Sequence, residues 1–127
     1  MTNAVDIRQL SNTELSMRLK TSVHNGKVFH TDLNGMHMRR RETLAKLPLN
    51  ANFFPMPVMA YLEDAKARVT VHTRSPLGCA GLEDGWLEIV QDRRLMQDDK
   101  RGLNQVCPAP VTVRVCTRPL PHGSTHE

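Results

Sequence analysis

The sequence predicts an all-β fold: an antiparallel β-sandwich, a piece of a larger one, ending in a disordered tail. Three observations carry this reading. Apolar residues recur with a period of two, as in residues 14–20, where Leu15, Met17 and Leu19 alternate with Ser16, Arg18 and Lys20. The dipeptides Asn25-Gly26 and Asn34-Gly35 tolerate positive φ and punctuate the apolar runs. Neither a long helical period nor an internal repeat is present.

The elements follow in order. Ser11 with Glu14 three residues on has the form of a helix capping box, but the alternation over residues 14–20 outweighs it and predicts a strand. Residues 28–33 form the next strand. A two-residue turn at Asn34-Gly35 then returns the chain as a hairpin through residues 36–40, with Met36 and Met38 on one face and His37 and Arg39 on the other. Pro48, Pro55 and Pro57 forbid a central strand over residues 44–57. The apolar Leu47, Leu49, Phe53, Phe54 and Met56 make that segment a buried crossing between sheets. Residues 58–63 and 68–73 are strands joined by a turn at 64–67, and Pro76, Gly78, Gly81 and Gly85 mark an irregular connection. Residues 86–91 form the strand that delivers a charged loop. In the tail, Pro108, Pro110, Pro119 and Pro121 bracket a strand-like run at 111–116, and the polar end HGSTHE is expected to be disordered.

Composition narrows the function classes. The chain has 127 residues, with 39% hydrophobic and 24% charged, as in ordinary globular proteins. Only Phe29, Phe53, Phe54, Tyr61 and Trp86 are aromatic, so an isolated core would be thin, which suits a part of a larger protein. A net charge of +4 and a pI near 9.3 invite a nucleic-acid reading. No aromatic platform interleaves with the basic residues, and Arg39, Arg40 and Arg41 are expected to cover a sheet edge or form salt links. Cys79, Cys107 and Cys116 form no CxxC pair, which disfavours structural zinc, and a Cys107–Cys116 disulfide is only weakly signalled. Neither a targeting signal nor a membrane segment is expected from the sequence as written.

The most informative stretch is residues 91–104, QDRRLMQDDKRGLN. It crowds Asp92, Arg93, Arg94, Asp98, Asp99, Lys100 and Arg101 around Leu95 and Met96. Such a loop can rigidify itself through Arg–carboxylate hydrogen bonds and still present guanidinium donors to a polar ligand. A solvated charged loop is the plainer alternative. Acid–base catalysis by paired carboxylates needs two carboxyl groups converging on one bond. The neighbours Asp98 and Asp99 would point to opposite sides of an extended segment, as would Glu83 with Asp84 or Glu63 with Asp64. His30 and Asp32 share one strand face but lack companion ligands for a metal.

The order of these words resembles the class II alpha-mannosidases, glycoside hydrolase family thirty-eight, closest to the Golgi alpha-mannosidase II group. The resemblance runs through VDIR at 5–8, FHTDLNG at 29–35, Arg40-Arg41, KLPLNAN at 46–52, FPMPVMAY at 54–61 and DRRLMQDD-x-RGL at 92–103. It implies that residues 1–104 are part of the family's C-terminal β region and that 105–127 are an unmatched Pro-rich tail. It further implies a parent enzyme that removes mannose from N-linked glycans in the Golgi lumen by zinc-dependent retaining hydrolysis. Zinc and the catalytic aspartates would lie in a separate N-terminal domain, so no catalytic or metal residue is assigned here and the chain alone is expected to be inactive. One arginine of the charged loop, Arg93 or Arg94, is implied at the substrate edge, with Asp92, Asp98 and Asp99 as loop supports. A free-standing β module that binds a glycan or a protein, and an unstable product with no function of its own, are the alternatives.

Overall fold

The computed structural model describes residues 2–6, 9–95 and 111–119. Ten strands occur among them: β1 Thr2–Val5, β2 Thr13–Lys20, β3 Val28–Leu33, β4 His37–Glu42, β5 Phe54–Met56, β6 Met59–Glu63, β7 Ala67–Thr73, β8 Leu77–Ala80, β9 Trp86–Arg94 and β10 Val111–Pro119. One sheet has the order β1-β10-β7-β6-β3-β4 and the other β2-β9-β8-β5, with every pairing antiparallel. This is the sandwich expected from the alternation.

The core lies between the two sheets. Phe29, Leu62, Val71 and Val113 from the larger sheet meet Met56, Cys79, Leu87 and Ile89 from the smaller one, all fully buried. Removing each large side chain from water contributes about 1.5–3 kcal/mol. Phe29 meets Phe54 edge to face with centroids 5.9 Å apart, which spans the sheets near β5. Leu15, Met17 and Leu19 turn inward from the edge strand β2 but remain only half-buried.

Several expectations need correction. Asn34 and Gly35 have φ of 52° and 73°, as a tight hairpin turn requires, but Met36 joins the loop and pairing closes at Leu33 and His37. The crossing segment holds a 3-10 turn at Leu49–Asn52 and then β5, which carries Pro55. That strand is a sheet edge, where a missing N–H costs no ladder bond. The glycine-rich connection contains β8. The strand-like run expected at 111–116 is a strand, and it extends to Pro119 as a nine-residue element between β1 and β7. The HGSTHE end and Cys107 lie outside the described residues, and Cys116 is a free, exposed thiol on β10.

β4 forms an edge of the larger sheet. Its arginines behave as expected of an edge: Arg40 pairs with Glu42 at 2.8 Å, and Arg41 donates to the buried Thr31 at 3.0 Å while covering the Phe54 ring.

Candidate functional site

The charged segment 91–104 begins inside a strand, because β9 runs to Arg94. Asp92, Arg93 and Arg94 are therefore held by pairing with β2, opposite Leu15, Glu14 and Thr13. Between Ser16, opposite Val90, and Leu15, opposite Asp92, the register slips. Gln91 is the extra residue, a β-bulge that reverses which side chains face out. Before it, Leu87, Ile89 and Gln91 are buried while Trp86, Glu88 and Val90 look outward. After it, Arg93 takes the outward side, level with Glu14, and Asp92 and Arg94 fall on the inward side. The Gln91 amide is buried against Met17, donating to its Sδ at 3.7 Å.

The bulge sets Arg93 in a polar cleft of about 470 Å³ on the outer face of the smaller sheet. Glu14 and Ser16 come from β2, Glu88 and Arg93 from β9, and Leu49 and Asn50 from the 3-10 turn that roofs it, with Phe53 directly after that turn. Asn52 holds that roof in place. It is buried, accepts from the Leu44 amide at 2.8 Å and donates to the Leu44 carbonyl at 3.3 Å.

One wall of the cleft is fixed. Arg18 donates to Glu88 through Nε at 2.9 Å and Nη2 at 2.7 Å, and the Ser16 hydroxyl donates to the other carboxylate oxygen at 3.2 Å. Such a charge-assisted fork orients Glu88 as an acceptor. Arg18 and Lys20 lie over the Trp86 ring at 5.3 and 4.1 Å, so that indole is covered by cations. The other wall is unspent. Among the described residues, no side chain engages the guanidinium of Arg93, the carboxylate of Glu14 or the amide of Asn50.

The remaining expected site residues divide clearly. Asp92 accepts the Arg93 backbone amide at 2.8 Å, so it supports the strand end through the backbone rather than through a guanidinium. Arg94 is half-buried and engaged. Asp98 and Asp99 lie outside the described residues. The cleft residues Glu14, Ser16, Glu88, Asn50 and Phe53 were not singled out from sequence. Only the outward phase of β2 hinted at the first two.

His30 and Asp32 are not a ligand pair. Asp32 is buried and accepts three backbone amides, from Gly35 at 2.7 Å, Val58 at 2.9 Å and Met59 at 2.8 Å. Burial pushes its carboxyl up, but the amides of Met59, Val58 and Gly35 outweigh that and hold it below the ordinary value of 3.8. His30 stacks on Tyr61 with centroids 4.5 Å apart, and among the described residues its buried Nδ1 has no hydrogen-bond partner. Among the described residues, no group of three or more His, Cys, Asp or Glu side chains could hold a metal ion. No helix among them is long and apolar enough to cross a membrane.

Residues 1–101 match the family described as Glycosyl hydrolases family 38 C-terminal domain. The chain is 52% identical to Alpha-mannosidase 2x of Mus musculus over 105 residues, which covers 83% of this chain and 9% of that protein. It is 52% identical to Alpha-mannosidase 2 of Drosophila melanogaster over 103 residues, covering 81% and 9%. Against Alpha-mannosidase 2 of Homo sapiens the identity is 48% over 105 residues, covering 83% and 9%. The chain thus spans about 9% of the length of the curated relatives it matches.

Proposed function

Because the chain belongs to glycosyl hydrolase family 38, matching its C-terminal domain, we propose that it serves an alpha-mannosidase as a β scaffold presenting an arginine to the glycan. The reaction is cleavage of an alpha-mannosyl linkage on an N-linked glycan, in the Golgi lumen. Zinc and the paired carboxylates of the retaining reaction belong to the catalytic domain of such an enzyme. This chain contributes binding and orientation.

The observation that carries the reading is the bulge at Gln91, which turns Arg93 outward into the polar cleft. Sugar hydroxyls are recognised by planar, multi-donor groups whose surroundings fix their direction. Arg93 is favoured over Arg94 because it is exposed and lines the cleft, whereas Arg94 is half-buried and already engaged. Asp92, bonded to the Arg93 amide, keeps the strand end straight where the arginine leaves it.

Two measurements test this. The chain alone, incubated with zinc and a chromogenic alpha-mannoside, should show no turnover; zinc-dependent release of the chromophore would refute the scaffold role. In a full-length alpha-mannosidase carrying this segment, Arg93→Lys should lower kcat/KM about ten- to a hundredfold, the loss of a charged hydrogen bond to substrate. Arg94→Lys should have a smaller effect. Equal indifference to both changes would refute the arginine assignment.

A further inference from the structure

We propose that the cleft between the outer face of β2–β9 and the 3-10 turn is a subsite for one residue of a neutral saccharide. The proposal rests on the reading that Arg93 faces the glycan, and it adds what sits beside that arginine and which groups hold it.

Size comes first. At about 470 Å³ the cleft falls within the roughly 300–1,000 Å³ typical of small-ligand pockets. Charge comes next. Glu14 and Glu88 stand against Arg93 and the neighbouring Arg18, two carboxylates and two guanidiniums. That balance favours neither an anion nor a cation. It suits a ligand whose groups both donate and accept, and a hydroxyl does both. The division of labour points the same way. Arg18 and Ser16 lock Glu88 as a ready acceptor, while among the described residues Arg93, Glu14 and Asn50 still have capacity for a ligand.

The apolar side completes the fit. A pyranose has a face of C–H groups as well as its hydroxyls, and the half-buried Phe53 and the exposed Leu49 supply a surface for it. Leu49 is 59% exposed, and a ligand would remove that apolar area from water. Trp86, the chain's largest ring, is excluded as the platform because Lys20 and Arg18 lie over it. A sugar bound here beside the one being cleaved would supply binding energy remote from the reacting bond.

The test is a titration of the full 127-residue chain with methyl α-mannoside, followed by amide NMR. Saturable shifts are expected at residues 49–53, at Glu88 and Arg93, and at the Asn50 side-chain amide. Phe53→Ala should weaken binding roughly tenfold, and Glu14→Gln several-fold. A dispersed spectrum with those amides unmoved would overturn the proposal, as would binding indifferent to both changes. Displacement by inorganic phosphate would overturn the assignment to a neutral ligand. If the chain does not fold alone, the same variants are made in a full-length alpha-mannosidase. There Phe53→Ala should raise KM roughly tenfold for an α-linked mannotriose and by much less for an aryl mannoside. Equal change for both substrates, or none, overturns it. Neither variant touches an arginine, so failure of the subsite and failure of the arginine assignment give separate results.

Discussion

Replacing Asp32 by Asn is the sharpest probe of what holds the hairpin end of the larger sheet. The carboxylate is 1% exposed, and its Oδ1 accepts from Val58 and Met59 while its Oδ2 accepts from Gly35. Asn keeps one oxygen for Val58 and Met59, but each of those bonds loses its charge assistance, worth about 0.5–1.5 kcal/mol. The new amide then points donor against donor at the Gly35 N–H, which strands a buried group at about 1–3 kcal/mol. Together these make about 2–6 kcal/mol, reaching the top of the range for single substitutions. Urea unfolding read through Trp86, the only tryptophan, measures it. The pH dependence gives an independent sign. Native Asp32 titrates below its ordinary 3.8, so its contribution is complete above that value. It is lost as pH falls through the lower native value, and the gap between the two proteins should close on acidification. A loss under about 1 kcal/mol at neutral pH, or a gap that widens in acid, would refute the reasoning.

Three further outcomes follow from buried groups elsewhere. Gly85 has φ of 74°, and a Cβ there would come 2.7 Å from the Thr21 carbonyl oxygen, so Gly85→Ala should cost about 2–4 kcal/mol in the same unfolding assay. His30→Phe should stabilise by about 1 kcal/mol, since it keeps the stack on Tyr61 and removes an unpartnered buried nitrogen. Burial lowers the His30 pKa from 6.5, with Arg40 and Arg68 acting in the same direction and Glu63 against. The unfolded chain therefore takes up the proton first, and the advantage of Phe should grow as pH drops below 6.5. Burial also pushes the Cys79 thiol up to about 12, whereas Cys116 is exposed. Native-state alkylation followed by peptide mapping should label Cys116 and spare Cys79 until the chain unfolds.

The fold was legible because its main signal is local. The period-two runs at β2, β6 and β7 place apolar side chains toward one sheet face, as a strand and not a helix would. The Asn34-Gly35 turn declared itself by residue type, although the sequence does not reveal that Met36 would join its loop. β5 and β8 were obscured by proline and glycine, whose local veto on a strand is lifted at an edge or a short pairing, whereas β10 was visible only as the run at 111–116. What makes Val111–Pro119 a strand is its pairing with Val69 and Val71 on β7, more than forty residues away in the chain. Long-range pairing of this kind leaves no mark in local propensity.

The site was legible only in part, for a geometric reason. Motif order drew attention to Arg93 and Arg94, but a plain strand would send them the opposite way. Residues on alternate positions share a face. With Leu87 and Ile89 buried, an unbroken β9 would also turn Arg93 inward and leave Arg94 outside. The inserted Gln91 exchanges their roles, and it does so because β2 offers only Leu15 and Ser16 where β9 brings Val90, Gln91 and Asp92. The bulge also decides which acidic neighbour matters. Glu14 comes level with Arg93 across the ladder, and Glu88 falls on the same outer face, fixed by Arg18. The outward placement of Arg93 thus depends on one residue of register, a property of two strands together that neither strand's sequence contains alone.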